Sequence, residues 1–284
     1  MVFESILLAT AFGGTTLAAL WDLKTTEIPD QIPNAMVITA LIIYGIQSYM
    51  QGSYWPILTS IISGISMLAF GFILYYLGQW GGGDAKVLAA VGFLLQSGTV
   101  QTIFPFQLTF LMNVFIVGAA YMIIYSIIFA LMNKKILSAF YSDLKSSINI
   151  LIIGTISLFV LFMFFNFYLA NYFSLAYDFR SIIYNSLLPV FLTGSLYMVW
   201  KFAKAVENVG FRKKISLSKL KVGDVLMESK VFEGITARQL SKIKKSGKKF
   251  VWVKEGVRFA PAFPLALLFT LYVGDAFLLL RYLF

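Results

Sequence analysis

The chain has 284 residues, 59% of them hydrophobic and only 13% charged, about half the charged share of an ordinary soluble domain. That excludes a disordered chain and a soluble globular enzyme, whose surface could not be covered by so little polar material, and leaves a polytopic membrane protein. Cysteine and histidine are both absent and the net charge is +10, so disulfides, thiolate and nearly all zinc sites, and Ser-His-Asp or Cys-His catalysis are excluded too.

Apolar stretches run over about 3–21, 34–50, 56–78, 106–132, 148–171, 182–200 and 262–283, each reaching or approaching the roughly 20 residues a bilayer demands. An eighth, about 84–98, is shorter and opens with an acid; among seven spanning helices it is expected to be a short or partly re-entrant span. The first stretch has Glu4 and no Lys or Arg ahead of it, and no A-x-A site follows. It is expected to be a retained helix, not a signal peptide.

Eight spans with the N-terminus outside put the inner loops near 22–33, 79–85, 133–147 and 201–261, and the outer loops near 51–55, 99–105 and 172–181. Of the 23 Lys and Arg residues, Arg180 and Arg281 alone then fall outside, as the positive-inside rule asks. The expected fold is an all-α polytopic membrane protein of about eight transmembrane helices with a small α+β cytoplasmic domain near the C-terminus. Residues 1–200 form the transmembrane domain, 201–260 the basic cytoplasmic domain and 261–284 the last transmembrane helix.

Segment 201–260 is where the charge concentrates, with 16 Lys and Arg against 5 Asp and Glu. Alternating runs at 219–226 and 249–253 predict strands, the stretch near 236–246 predicts a helix, and Gly223 and Gly247 sit at turns. The plain reading is an anchor on anionic lipid headgroups. Nucleic-acid binding is not expected, since no recognition motif accompanies the charge.

Acids at membrane depth are costly and usually functional. Asp22 closes the first span and Asp84 opens the fourth. Those spans run in opposite senses, so both acids fall at the cytoplasmic boundary, a candidate dyad from positions 62 residues apart. Each is also an ordinary helix-end charge when taken alone. Three glycines, Gly81 to Gly83, precede Asp84. They allow close backbone approach, room that an extended substrate chain lying against the acid would need. A phosphate-cradling loop would need a Lys-Ser/Thr pair that does not follow.

Gly81-x-Gly83-Asp84 resembles the GxGD motif of membrane aspartic proteases. Asp22 with Ile28-Pro29 and Pro33-Asn34 resembles the first-aspartate segment of the type IV prepilin peptidases, which include the archaeal preflagellin peptidases. Residues 253–264, with the later Gly274-Asp275, resemble the C-terminal block of archaeal members. The resemblance spans 1–98 and about 215–280. It implies Asp22 and Asp84 as the catalytic pair, Gly81 and Gly83 as substrate-approach positions, and Lys86, also common in that family, beside them. It does not extend to the methyltransferase of larger bacterial members, whose cysteine tetrad has no counterpart in this sequence. Two further spans near 148–200 exceed the smallest preflagellin peptidases.

What it implies chemically is leader-peptide hydrolysis by two carboxylates sharing one proton, with no metal and no cofactor. The partners are membrane-inserted prepilin or preflagellin precursors, and the site is the cytoplasmic face of the cell membrane. Glu27, Asp30 and Asp143 are candidates for an acidic patch receiving the basic leader. Lys86 could tune Asp84, bind substrate backbone, or be a plain inner-face charge. Asp275 is expected to be a buried structural acid near Arg281 and not a third catalytic one. Glu4 is expected at the outer interface, and Asp178 and Arg180 in a solvated outer loop. Pro261 and Pro264 fit a proline-initiated helix and faintly resemble the Pro-Ala-Leu element of presenilin-like proteases. The alternatives are a proton-coupled transporter, which predicts midplane acids and an inverted repeat, and a scaffold that needs neither aspartate.

Overall fold

The computed structural model describes residues 2–96, 103–173, 178–227, 234–245, 249–254 and 256–276. In chain order the helices are α1 (Val2–Thr25), α2 (Gln31–Gln51), α3 (Trp55–Tyr76), α4 (Gly82–Leu94), α5 (Phe106–Met132), α6 (Lys134–Ser146), α7 (Ile148–Tyr172), α8 (Phe179–Ala205), α9 (Ala237–Lys244) and α10 (Ala262–Val273). A π-helical turn, Val206–Gly210, prolongs α8, and three strands follow: β1 (Arg212–Ser216), β2 (Val225–Leu226) and β3 (Phe250–Lys254). They form one sheet in the order β1-β3-β2, with β2 antiparallel to β3.

Six of the described helices (α1, α2, α3, α5, α7 and α8) are long and apolar enough to cross a membrane. The other two expected spans are shorter among the described residues, and 97–98 of the one and 277–283 of the other lie outside them. α4 has 13 residues and α10 has 12, about 20 Å of helix at 1.5 Å per residue against a hydrocarbon core of about 30 Å. The backbone turns extended at Leu95 after α4. After α10 it breaks at Gly274, whose φ of 77° and ψ of −130° no helix accommodates. Arg281, the expected neighbour of Asp275, lies outside the described residues, as does Gly247.

The chain divides into two compact units, residues 1–125 with 213–284, and residues 126–212. In the first, α4 is the centre. Nine of its residues are buried, from Asp84 to Leu94, and α1, α2 and α3 pack around it. Small residues make that approach possible, as between membrane helices generally. α3 turns Ser60, Gly64, Met67 and Gly71 inward. A Cβ on Gly71 would stand 2.8 Å from the Ala85 Cα, and one on Gly64 would strike the Phe93 ring. The hydroxyls of Ser60 and Tyr44 donate to the carbonyls of Phe93 and Leu94, at 2.7 and 2.8 Å. α1 buries Leu7, Ala11, Thr15, Ala18, Ala19 and Asp22, one helical stripe whose last member is the acid. The sheet, with α9, has its own small core of Leu220, Ile235 and Val253.

In the second unit, the segment expected as an inner loop at 133–147 forms the amphipathic α6. Ile136 and Phe140 pack against Phe202, Ala205 and Val206, and the Asn133 side chain caps its first turn through the Lys135 N–H. Lys201 reaches Asp143 and Ser147 at 2.9 Å each. Asn166 of α7 donates to Ser186 of α8 at 3.0 Å.

Candidate active site

The two acids arrive from different helix ends. Asp22 stands in the last turn of α1, on the buried stripe that packs the helix. Its Oδ2 accepts the Ala260 backbone N–H at 2.9 Å. Asp84 is the third residue of α4, and its Oδ2 accepts the Gly81 N–H at 3.0 Å. An acid at that position completes a capping arrangement and suits the positive end of the helix dipole, so part of its role is plainly structural.

Both acids face one cavity of about 610 Å³ in the first unit, and they lie within Coulombic reach of each other. Gly81, Gly82 and Gly83 form part of its wall, with Thr26, Glu27 and Ile28 from the α1–α2 connection and Tyr75 and Met122 from α3 and α5. Gly223, Val225 and Gly234 of the small domain also line it. The glycine run is shaped by contact at Gly83, where a Cβ would come within 3.0 Å of the Ile28 Cβ. Gly78, with φ of 69°, turns the chain out of α3. Trp80 then anchors the loop, its ring 5.8 Å from Phe115, 5.5 Å from Phe259 and 5.7 Å from Phe263.

Among the residues singled out from the sequence, Asp22, Asp84, Gly81 and Gly83 are thus brought together. Lys86 is not among the described lining residues; its Nζ pairs with Asp30 at 2.6 Å. Of the three acids considered for a leader patch, Glu27 lines the cavity, Asp30 is taken by Lys86, and Asp143 is paired with Lys201 in the second unit. Asp275 is buried elsewhere, accepting from the Thr109 hydroxyl and the Ile103 N–H at 2.5 Å each. No cluster of three or more acids that could hold a metal ion occurs among the described residues.

This geometry, two carboxylates over a glycine wall, can be compared with known proteins. Residues 9–127 match the type IV leader peptidase family. That stretch holds both acids and the glycine run, so the expected resemblance to this family is borne out. The preflagellin peptidase of Methanocaldococcus jannaschii is 35% identical over 82 residues, 29% of this chain and 35% of that protein. The preflagellin peptidase of Methanococcus voltae is 32% identical over 93 residues, 32% of this chain and 40% of that one. The prepilin peptidase EppA of Methanothermobacter thermautotrophicus is 25% identical over 138 residues, 44% and 36% of the two. The match therefore spans well under half the length of these leader peptidases.

Some cavity and support residues were not legible from residue type. Trp80 stands beside the GxGD run, but in a chain with 17% aromatic residues nothing singles it out. Ala260 contributes through its backbone N–H, which every residue except proline carries. Gly223 could be recognised as a turn residue (its φ is 98°), but nothing in its sequence context ties it to Asp22.

Proposed function

We propose that this chain is a multi-pass membrane aspartic endopeptidase that removes the basic leader from prepilin- or preflagellin-like precursors at the cytoplasmic membrane face. The observation that carries the reading is the pair of buried acids, Asp22 and Asp84, facing one cavity walled by three glycines. The family match over residues 9–127 supports it.

In this reading the two carboxylates share one proton. The ionised one takes a proton from a water, whose oxygen bonds to the scissile carbonyl carbon. The protonated one hydrogen-bonds the carbonyl oxygen and then gives its proton to the leaving nitrogen as the C–N bond breaks. The pair titrates as a unit. The glycines leave room for an extended chain against the acids, and Glu27 on the cavity wall offers a carboxylate to the basic leader. The mechanism calls for no metal or cofactor. α4 and α10 complete an eight-segment membrane domain as short elements within the bundle, and the basic stretch 201–260 rests on anionic headgroups.

The test is cleavage of a leader-bearing prepilin or preflagellin by membranes containing the full chain, with Asp22→Asn and Asp84→Asn alongside. Cutting by wild type and by neither variant, at equal expression, supports the pair. Near-normal cutting by either variant removes that residue from it. A wild type that cuts no precursor overturns the substrate class.

A further inference from the structure

The loop 256–261, between the sheet and α10, ties down the end of α1. Arg258 Nε donates to the Leu23 carbonyl at 3.0 Å, and Nη1 donates to the Tyr125 hydroxyl at 3.0 Å. The Arg258 carbonyl accepts from the Tyr121 hydroxyl at 3.0 Å. Two residues on, the Ala260 N–H reaches Asp22. Leu23 is the residue after Asp22, so the guanidinium grips the main chain one peptide beyond the acid.

The helix end needs this support. The last carbonyls of any helix lack intrahelical partners, and a cation there is favoured by the dipole. α1 leaves its helix through Thr26 at φ of 61°, a left-handed conformation that is strained for a β-branched residue and persists only when its surroundings fix it. Gly256, in the same loop, is close enough that a Cβ there would sit 3.2 Å from the Thr26 carbonyl oxygen.

We infer that Arg258 is the positioning residue of the aspartate pair: it ties the α1 end to α5, and so holds Asp22 against the Ala260 amide and across the cavity from Asp84. This inference rests on the two-aspartate reading. Arginine suits the task because its planar fork serves two acceptors in different directions at once, whereas a lysine ammonium serves as a single point charge.

The test uses the full chain in lipid vesicles with a leader-bearing precursor. In Arg258→Met, kcat falls by about 10–100-fold with KM unchanged, the cost of misplacing a catalytic group by an ångström or less. Arg258→Lys recovers part of the loss. Tyr125→Phe, which keeps the guanidinium and removes one of its anchors, gives a smaller fall. Amide hydrogen exchange, which needs no substrate, is faster over residues 22–26 in Arg258→Met and unchanged in α2. Unchanged kcat, a raised KM with intact kcat, or unchanged exchange at the α1 end overturns the assignment. An Asp22→Asn variant that still cuts overturns the two-aspartate reading instead, and the exchange result then decides the Arg258–α1 tie by itself.

Discussion

The two units differ in a pair of acids that the first leaves facing a cavity. In residues 126–212, Lys201 closes on Asp143 and Ser147, and Asn166 on Ser186. In the first unit, Asp22 accepts the Ala260 N–H, Asp84 accepts the Gly81 N–H, and both face a cavity. Burial also differs. α7 keeps Ala170 as its buried residue, whereas α4 is buried along most of its length. A polar group that finds a neutralising partner glues helices together. In the proposed function, one left facing open space is positioned for a reactant.

Exchanging either cavity acid for its amide should break the contrast most sharply. Asp22→Asn and Asp84→Asn should each lower leader cleavage by about 10²–10⁴-fold, the range for loss of a general acid or base, while detergent-solubilised protein keeps its thermal midpoint. Next comes the packing that delivers Asp84. Gly71→Val would push a side chain into the Ala85 backbone at 2.8 Å, so unfolding stability should fall by roughly 1–3 kcal/mol, as for overpacked cores. A thermal melt reads this directly. A milder version is Gly83→Ala, whose Cβ meets Ile28 and should shift the glycine wall. Reduced cleavage with an almost unaltered melt is the expected pair of readings.

The second unit should answer differently. Lys201→Met leaves Asp143 without its ion pair, so limited proteolysis of residues 126–212 should quicken while cleavage per folded molecule stays near wild type. The smallest effect belongs to Asp178. Its carboxylate caps α8 by accepting from Ser181, and hydrogen bonds from that residue hold it below the ordinary carboxylate range. A depressed folded-state value means the cap contributes above the unfolded-state range and is lost as pH falls through the folded one. The stability difference between wild type and Asp178→Ala should therefore be present at neutral pH and shrink in acid.

The acids were legible because carboxylates are rare in an apolar chain and because the expected alternation of helix directions puts both at one depth, and the glycine run because three glycines stand together. α9 and β3 could be read from periodicity and alternation. β1 could not: Arg212, Lys213 and Lys214 look like a charge run, and pairing with β3 makes them a strand. The expected strand over 219–226 shrinks to Val225–Leu226, since Gly223 turns the chain and Leu217–Lys219 forms a 3₁₀ turn. α6 was hidden by its charges although Ile136, Phe140 and Leu144 recur every fourth residue. The clamp of Arg258 on Leu23 joins positions 235 residues apart through a carbonyl, a group that carries no sequence signal at all.

The amide of Ala260 has a consequence for variation in this protein. The donor that Asp22 depends on belongs to the main chain, so nineteen of the twenty amino acids would supply it unchanged. Drift in side-chain identity at that position can alter packing without touching the hydrogen bond. Proline alone deletes it, and proline already occupies the next position, Pro261. A one-residue slip of the loop would therefore disarm Asp22 while leaving every side chain in the protein intact.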